Sequence, residues 1–218
     1  MERKEFEHLQ EINKHFTDVL SNLSFLNKVG FHEENKGIAP YIVKLALLPV
    51  SAKSVFRDML WDFDAESANR SASVRMSHVQ INFGSYTHIP LGIITEIKCL
   101  LLNIYTTPKD FGHQKNEIKP NTFIGVIKDG LAFLDFVLNE VEGRLGKEYV
   151  KEHYSNISDI SLLDFEDAVK KTKLKISSDK KLYNSYKYFF GYLRNHKAKE
   201  LIGIECQADY HTLKKCMN

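Results

Sequence analysis

KPNTFIGVIKDGLAFLDFVLNEVE, residues 119–142, is the stretch whose reading decides the fold. Its apolar side chains fall at Phe123, Ile127, Leu131, Leu134, Leu138 and Val141. Steps of three and four are the helical period, so one face is continuously apolar. Val126, Phe133 and Val137 widen the stripe. A helix apolar on two sides is buried among neighbours rather than laid on a surface. Pro120, Asn121 and Thr122 supply a start, since Asn or Thr accepts an orphan backbone N–H there. Gly143 and Gly146 predict weakening of the helix beyond Val141.

Working outward, the run behind Pro90 places Ile93, Ile94, Ile97, Leu100, Leu101 and Ile104 at helical spacing and predicts a second buried helix. Upstream, residues 2–28 carry Phe6, Leu9, Ile12, Phe16, Val19, Leu23 and Leu26, an amphipathic helix. It is read as a packing helix, or as a surface for a second copy of the chain or another protein. Residues 39–49 fit a short buried helix or a strand. Ser51 predicts an N-cap for a helix through Val55, Phe56, Met59, Leu60 and Phe63, with Trp61 on it as a core anchor. Residues 64–73 read as an exposed loop and a domain boundary, and residues 74–83 as a short extended segment.

Downstream, residues 106–119 form a loop. A short helix through Val150 follows the central one. Ser158 and Asp159 predict the cap of a helix through Leu162, Leu163, Phe165, Ala168 and Val169. A polar connector, residues 173–179, leads to a last long helix, residues 180–197, with Leu182, Tyr186, Phe189, Phe190 and Leu193 inward. The fold expected is mainly α. An N-terminal helical region (1–70) and a short extended segment precede the helices of a bundle (71–200), followed by a tail (201–218) with at most one short helix. Neither an internal repeat nor a low-complexity tract is present.

Composition narrows the classes. With 43% hydrophobic and 27% charged residues, the 218-residue chain has enough apolar material for a core. A net charge of +2 selects no partner, so the distribution of charge has to. Three cysteines, Cys99, Cys206 and Cys216, argue against a disulfide framework. The N-terminus is charged from Glu2 and lacks the apolar core of a signal peptide. The longest apolar run, IVKLALLPV, is broken by Lys44 and Pro49, so no membrane span is expected. The location expected is cytoplasmic, associated with the nucleoid if DNA is the partner.

Catalytic signatures are missing from the sequence: no G-x-S-x-G, no glycine-rich phosphate loop and no H-E-x-x-H. His15, His78, His88, His113, His153 and His196 each stand apart from any acid or nucleophile at diagnostic spacing. An enzyme would need histidines and a carboxylate brought together by the fold. Cys206, His211 and Cys216 make three ligands of a C-x4-H-x4-C pattern, one short of a closed tetrahedral zinc site. Asp62, Asp64 and Glu66 open like a calcium loop but lack its glycine and distal Glu. No metal or cofactor is expected.

Charge does concentrate near the C-terminus. Between residues 170 and 199 stand Lys170, Lys171, Lys173, Lys175, Lys180, Lys181, Lys187, Arg194, Lys197 and Lys199, with Asp179 the one acid. Tyr183, Tyr186, Tyr188 and Tyr192 are interleaved. Lysines and arginines neutralise phosphates and tyrosines add contacts, so the stretch suits a DNA backbone. The competing reading is a solvated helix face.

A series of motifs then falls in a familiar order. Trp61 is followed by Ile81-Asn82-Phe83, by EIKCLL with Lys98, by a Thr-led helix from Thr122 ending in FLDF (Phe133 to Phe136), and by KYFFGYL from Lys187 to Leu193. This order, over residues 61–199, resembles the core-binding, SAM-like half of phage-type integrases, the tyrosine recombinases. The resemblance implies binding of duplex DNA by a helical clamp, and a full-length recombinase as a partner for the helix of residues 2–28. It transfers no cleavage, because the H-x-x-R box of the family's catalytic domain is missing: His113, His196 and His211 lack Arg three residues on. Catalytic residues are therefore none. The DNA-binding residues implied are Lys119, Asn121, Thr122 and Lys128 on the central helix, and Lys180, Lys181, Tyr183, Asn184 and Lys187 on the last. Lys171, Lys173 and Arg194 join them from the basic stretch. The alternative is a helical protein-interaction or regulatory module with no nucleic-acid role.

Overall fold

The computed structural model describes residues 46–67, 79–172 and 180–216, without the side chains of Thr122, Thr172, residues 180–183 and Cys216. The amphipathic segment 2–28, most of 39–49 and 64–78, and the connector 173–179 lie outside the described residues.

The fold is mainly α, with one small sheet among the described residues. β1 (Leu60–Asp62) pairs antiparallel with β2 (Gln80–Asn82), Trp61 opposite Ile81. The expected helix from Ser51 to Phe63 is not formed, and this is a correction. Its apolar positions fit a helical period over a short window, yet alternation wins: Trp61 and Phe63 are buried while Leu60 is exposed. Ser51 caps no helix and instead donates its hydroxyl to the Asp62 carbonyl at 2.6 Å. Pro49 bridges Val55. Asp62, Asp64 and Glu66 serve this local structure, with Gln80 Nε2 donating to Asp62 and the Ala52 N–H to Glu66. Trp61 anchors the core as expected, edge-on to Phe63 and Phe83.

α1 (Leu91–Thr106) starts after Pro90, as its sequence predicts. α2 (Pro120–Leu145) is the central helix and outruns its expected end, passing through Gly143. Gly146 stops it at φ 91°, a backbone conformation glycine adopts without a Cβ penalty. Its start also differs from expectation. Lys119 is the N-cap residue and Pro120 opens the helix, leaving Asn121 in the first turn.

α3 (Lys147–His153) contains Val150 as anticipated. α4 (Leu162–Thr172) is capped by Ser161, not by Ser158 and Asp159. The Asp164 N–H donates to Ser161 Oγ, and the Ser161 N–H returns to the Asp164 carboxylate. Asp159 serves the preceding turn, accepting the N–H groups of Ser155 and Asn156.

The predicted last helix is two helices. α5 (Lys180–Leu193) ends before Asn195, whose side chain accepts the Lys197 N–H and begins α6 (His196–Ile202). Asparagine competes with the helical backbone for its own turn, which explains the break. α7 (Tyr210–Cys216) follows.

α5 lies antiparallel along α2: Gly130 faces the Phe189 ring, and Phe133 meets Tyr186 with centroids 5.1 Å apart. A Cβ at Gly130 would sit 2.3 Å from that ring, so close approach requires glycine there. One cluster of buried residues runs from Val50 to Leu213, across the expected boundaries at residues 70 and 200. No helix among the described residues is long and apolar enough to cross a membrane.

Candidate functional site

Two regions carry the chemistry, and the first lies on α1. Its sequence, LGIITEIKCLLLNIYT, is apolar but for a few polar positions, and two of them are ionisable and buried. Glu96 is 5% exposed and Lys98 3%. Buried charges persist only when partnered, and each reaches backbone groups of a flanking loop. Lys98 Nζ donates to the carbonyls of Phe56 and Asp58, both at 3.0 Å. It also sits 5.0 Å from the Phe83 ring centroid and 5.6 Å from those of Phe56 and Trp61. Ring faces attract an ammonium. Burial pulls its pKa down to about 8, and Asp58 opposes the drop.

Glu96 accepts the Ile157 N–H through Oε2 at 2.7 Å. Burial pushes its carboxyl up to about 7. The Ile157 N–H works against that rise, and Asp159 adds to it. Its other oxygen, Oε1, has no hydrogen-bond partner among the described residues. Cys99, next on the helix, is fully buried, and burial pushes its thiol up.

Glu96 and Lys98 line a cavity of about 1010 Å³ between α1, α3, the end of α2 and the turn before β1. Phe56, Met59, Ile89, Leu91, Val150 and Ile202 give it an apolar surface. His88 and Glu142 lie on one side, with His88 Nδ1 2.6 Å from the Glu142 carboxylate. The Asp135 carboxylate, within the FLDF motif, holds the His88 backbone N–H at 2.8 Å. Lys147 and Lys151, one turn apart on α3, and Arg57 stand at the opening, all exposed. None of the three is in an ion pair among the described residues. The signal for this site is present in the sequence: a Glu and a Lys two residues apart inside an otherwise apolar helix. His88, Glu142, Lys147 and Lys151 carry no such signal.

The second region is the end of the bundle where α4 stops and α5 begins. Lys171 is exposed and bonded to Glu140 at 2.6 Å. Lys170 lies 3.8 Å from both Glu166 and Asp167. Arg144 pairs with Asp164 and, at 3.3 Å, with Asp167. Further along, Arg194 pairs with Asp209 at 2.9 Å, Lys197 with Glu200 at 2.8 Å and Lys199 with Glu205 at 2.7 Å. The lone-acid pattern of the sequence is thus altered by acids from outside residues 170–199.

Of the expected DNA-binding residues, Asn184 and Lys187 are exposed on the outer face of α5, beside Tyr188. Lys119 and Asn121 are exposed, and Lys128 is half-buried. Because α2 and α5 are antiparallel, the start of α2 lies near the end of α5. At 1.5 Å per residue it is about 30 Å from the Glu140 level where Lys171 sits. Lys173 and the Thr122, Lys180, Lys181 and Tyr183 side chains are outside the description.

Among the described residues no group of three or more His, Cys, Asp or Glu side chains is placed to hold a metal ion. Cys206 donates to the Ala208 carbonyl at 3.5 Å. No family model, curated protein or solved structure matches the chain.

Proposed function

We propose that the chain is a DNA-binding module without cleavage activity, of the kind found in the core-binding half of tyrosine recombinases. It would grip duplex DNA at the α4–α5 end and along the outer face of α5. The observation that carries this reading is α5 itself. Its sequence, KKLYNSYKYFFGYL, contains no acid, and Asn184, Lys187, Tyr188 and Gly191 share its exposed face.

The ion pairs of Lys170 and Lys171 do not oppose it. Exposed pairs are worth about 0–1 kcal/mol and exchange for phosphate at little cost. Lys119 and Asn121 would join only if the duplex lay along α5, since they stand at the far end of the pair.

The test is anisotropy of a labelled duplex across about 50–200 mM salt. About four phosphate contacts give a slope of log K against log salt near −3.6. Lys180→Glu with Lys181→Glu and Lys187→Glu should remove binding at every salt concentration. No binding at low salt, or binding indifferent to salt, rejects the proposal and leaves a helical module that acts on something other than nucleic acid.

A further inference from the structure

The cavity beside α1 faces a different kind of ligand. Its volume, about 1010 Å³, is that of a small-molecule site, and its walls are mostly apolar with a few polar groups at fixed places. The charges around it are unevenly engaged. Glu142 is tied to His88, and Asp159 holds the N–H groups of Ser155 and Asn156. Lys98 donates to two carbonyls and to Met59 Sδ, and its ammonium lies among three aromatic rings. At the opening, Lys147, Lys151 and Arg57 are in no ion pair among the described residues. Glu96, which lines the cavity and is 5% exposed, has an Oε1 atom with no hydrogen-bond partner among the described residues.

The geometry points to this cavity as a binding site for an amphipathic anion. The apolar body lies against Phe56, Ile89, Val150 and Ile202, and a carboxylate head is held by Lys147 and Lys151. A hydroxyl at the far end of the body meets Glu96 Oε1. An apolar molecule without that hydroxyl leaves a buried oxygen unpaired, so the site discriminates against it. A hydroxyl suits Glu96 in either protonation state, donating to the carboxylate or accepting from the acid. With its carboxyl raised to about 7, both states are populated near neutral pH. Nothing in this assignment depends on DNA, and its probes carry no nucleic acid.

Titration calorimetry of the full chain with dodecanoate, ω-hydroxydodecanoate and dodecyltrimethylammonium tests it. Both carboxylates should bind saturably at one site, with the hydroxylated one tighter. The cation should bind at least about tenfold more weakly than dodecanoate, as expected for an opening of unpaired positive charge. Lys147→Glu with Lys151→Glu should cost dodecanoate about tenfold or more without moving the thermal unfolding transition, because both side chains are exposed. Absence of saturable carboxylate binding overturns the assignment. So does equal affinity for cation and anion, or a double variant that binds like the wild type. Equal affinity for the two carboxylates overturns the role given to Glu96.

Discussion

α1 and the α4–α5 end hold charge in opposite ways. On α1 two ionisable side chains sit inside an apolar run, and both are buried against backbone groups. At the α4–α5 end Lys170 and Lys171 are at the surface, paired with acids that solvent screens. Burial makes a charge part of the architecture, because an unpaired one is too costly to leave. Exposure leaves a charge cheap to re-pair, and therefore available to a partner.

Substitutions can break that contrast. Lys98→Ala should cost most, about 4 kcal/mol. It removes buried methylenes and takes an ammonium donor from the Phe56 and Asp58 carbonyls. Urea unfolding measures it, and a loss below about 1 kcal/mol would place Lys98 with ordinary surface lysines.

Glu96→Gln should act in the other direction. In the folded chain the Glu96 carboxyl titrates at about 7 against an ordinary 4.5. Between these values the folded state keeps a proton that the unfolded state has released. This group's contribution to stability therefore falls as pH rises from about 4.5 to 7. Glutamine keeps an oxygen for the Ile157 N–H and carries no charge. The variant should flatten that pH dependence and gain up to about 3 kcal/mol at pH 8. Melting curves from pH 4 to 8 decide it, and parallel profiles for variant and wild type would remove burial as the cause.

Gly130→Ala drives a Cβ into the Phe189 ring and should cost about 2 kcal/mol by overpacking. It tests whether the outward face of α5 depends on this close seat. An unchanged denaturation midpoint would mean α5 shifts freely on α2. Lys171→Ala should be the smallest, within about 0.5 kcal/mol, since its pair with Glu140 is exposed. A larger loss would place this lysine with the structural charges of α1.

Much of the fold was legible because it rests on periodicity. The apolar positions of α1 and α2 and the anchoring role of Trp61 are local patterns with a single packing solution. Residues 51–63 misled because a helical period over so few positions also fits a turn followed by an alternating strand. Asn195 misled because whether an asparagine breaks a helix depends on what its side chain can reach. The site was less legible. Glu96 and Lys98 stand out as charges in an apolar helix, yet the spacing of His88 and Glu142, or of α3 and the turn before β1, says nothing of their meeting.

By itself the sequence determined a mainly helical chain, two strongly apolar helices and a lopsided store of lysines. These follow from composition and period, which the linear order already contains. Only the tertiary structure decided which charges are spent. Acids remote in sequence, such as Glu140 and Asp209, reach the lysines and Arg194. Backbone carbonyls and ring faces absorb Lys98. The three cations at the cavity mouth remain without an acid among the described residues. Electrostatic pairing depends on distance through space, and folding alone sets that distance.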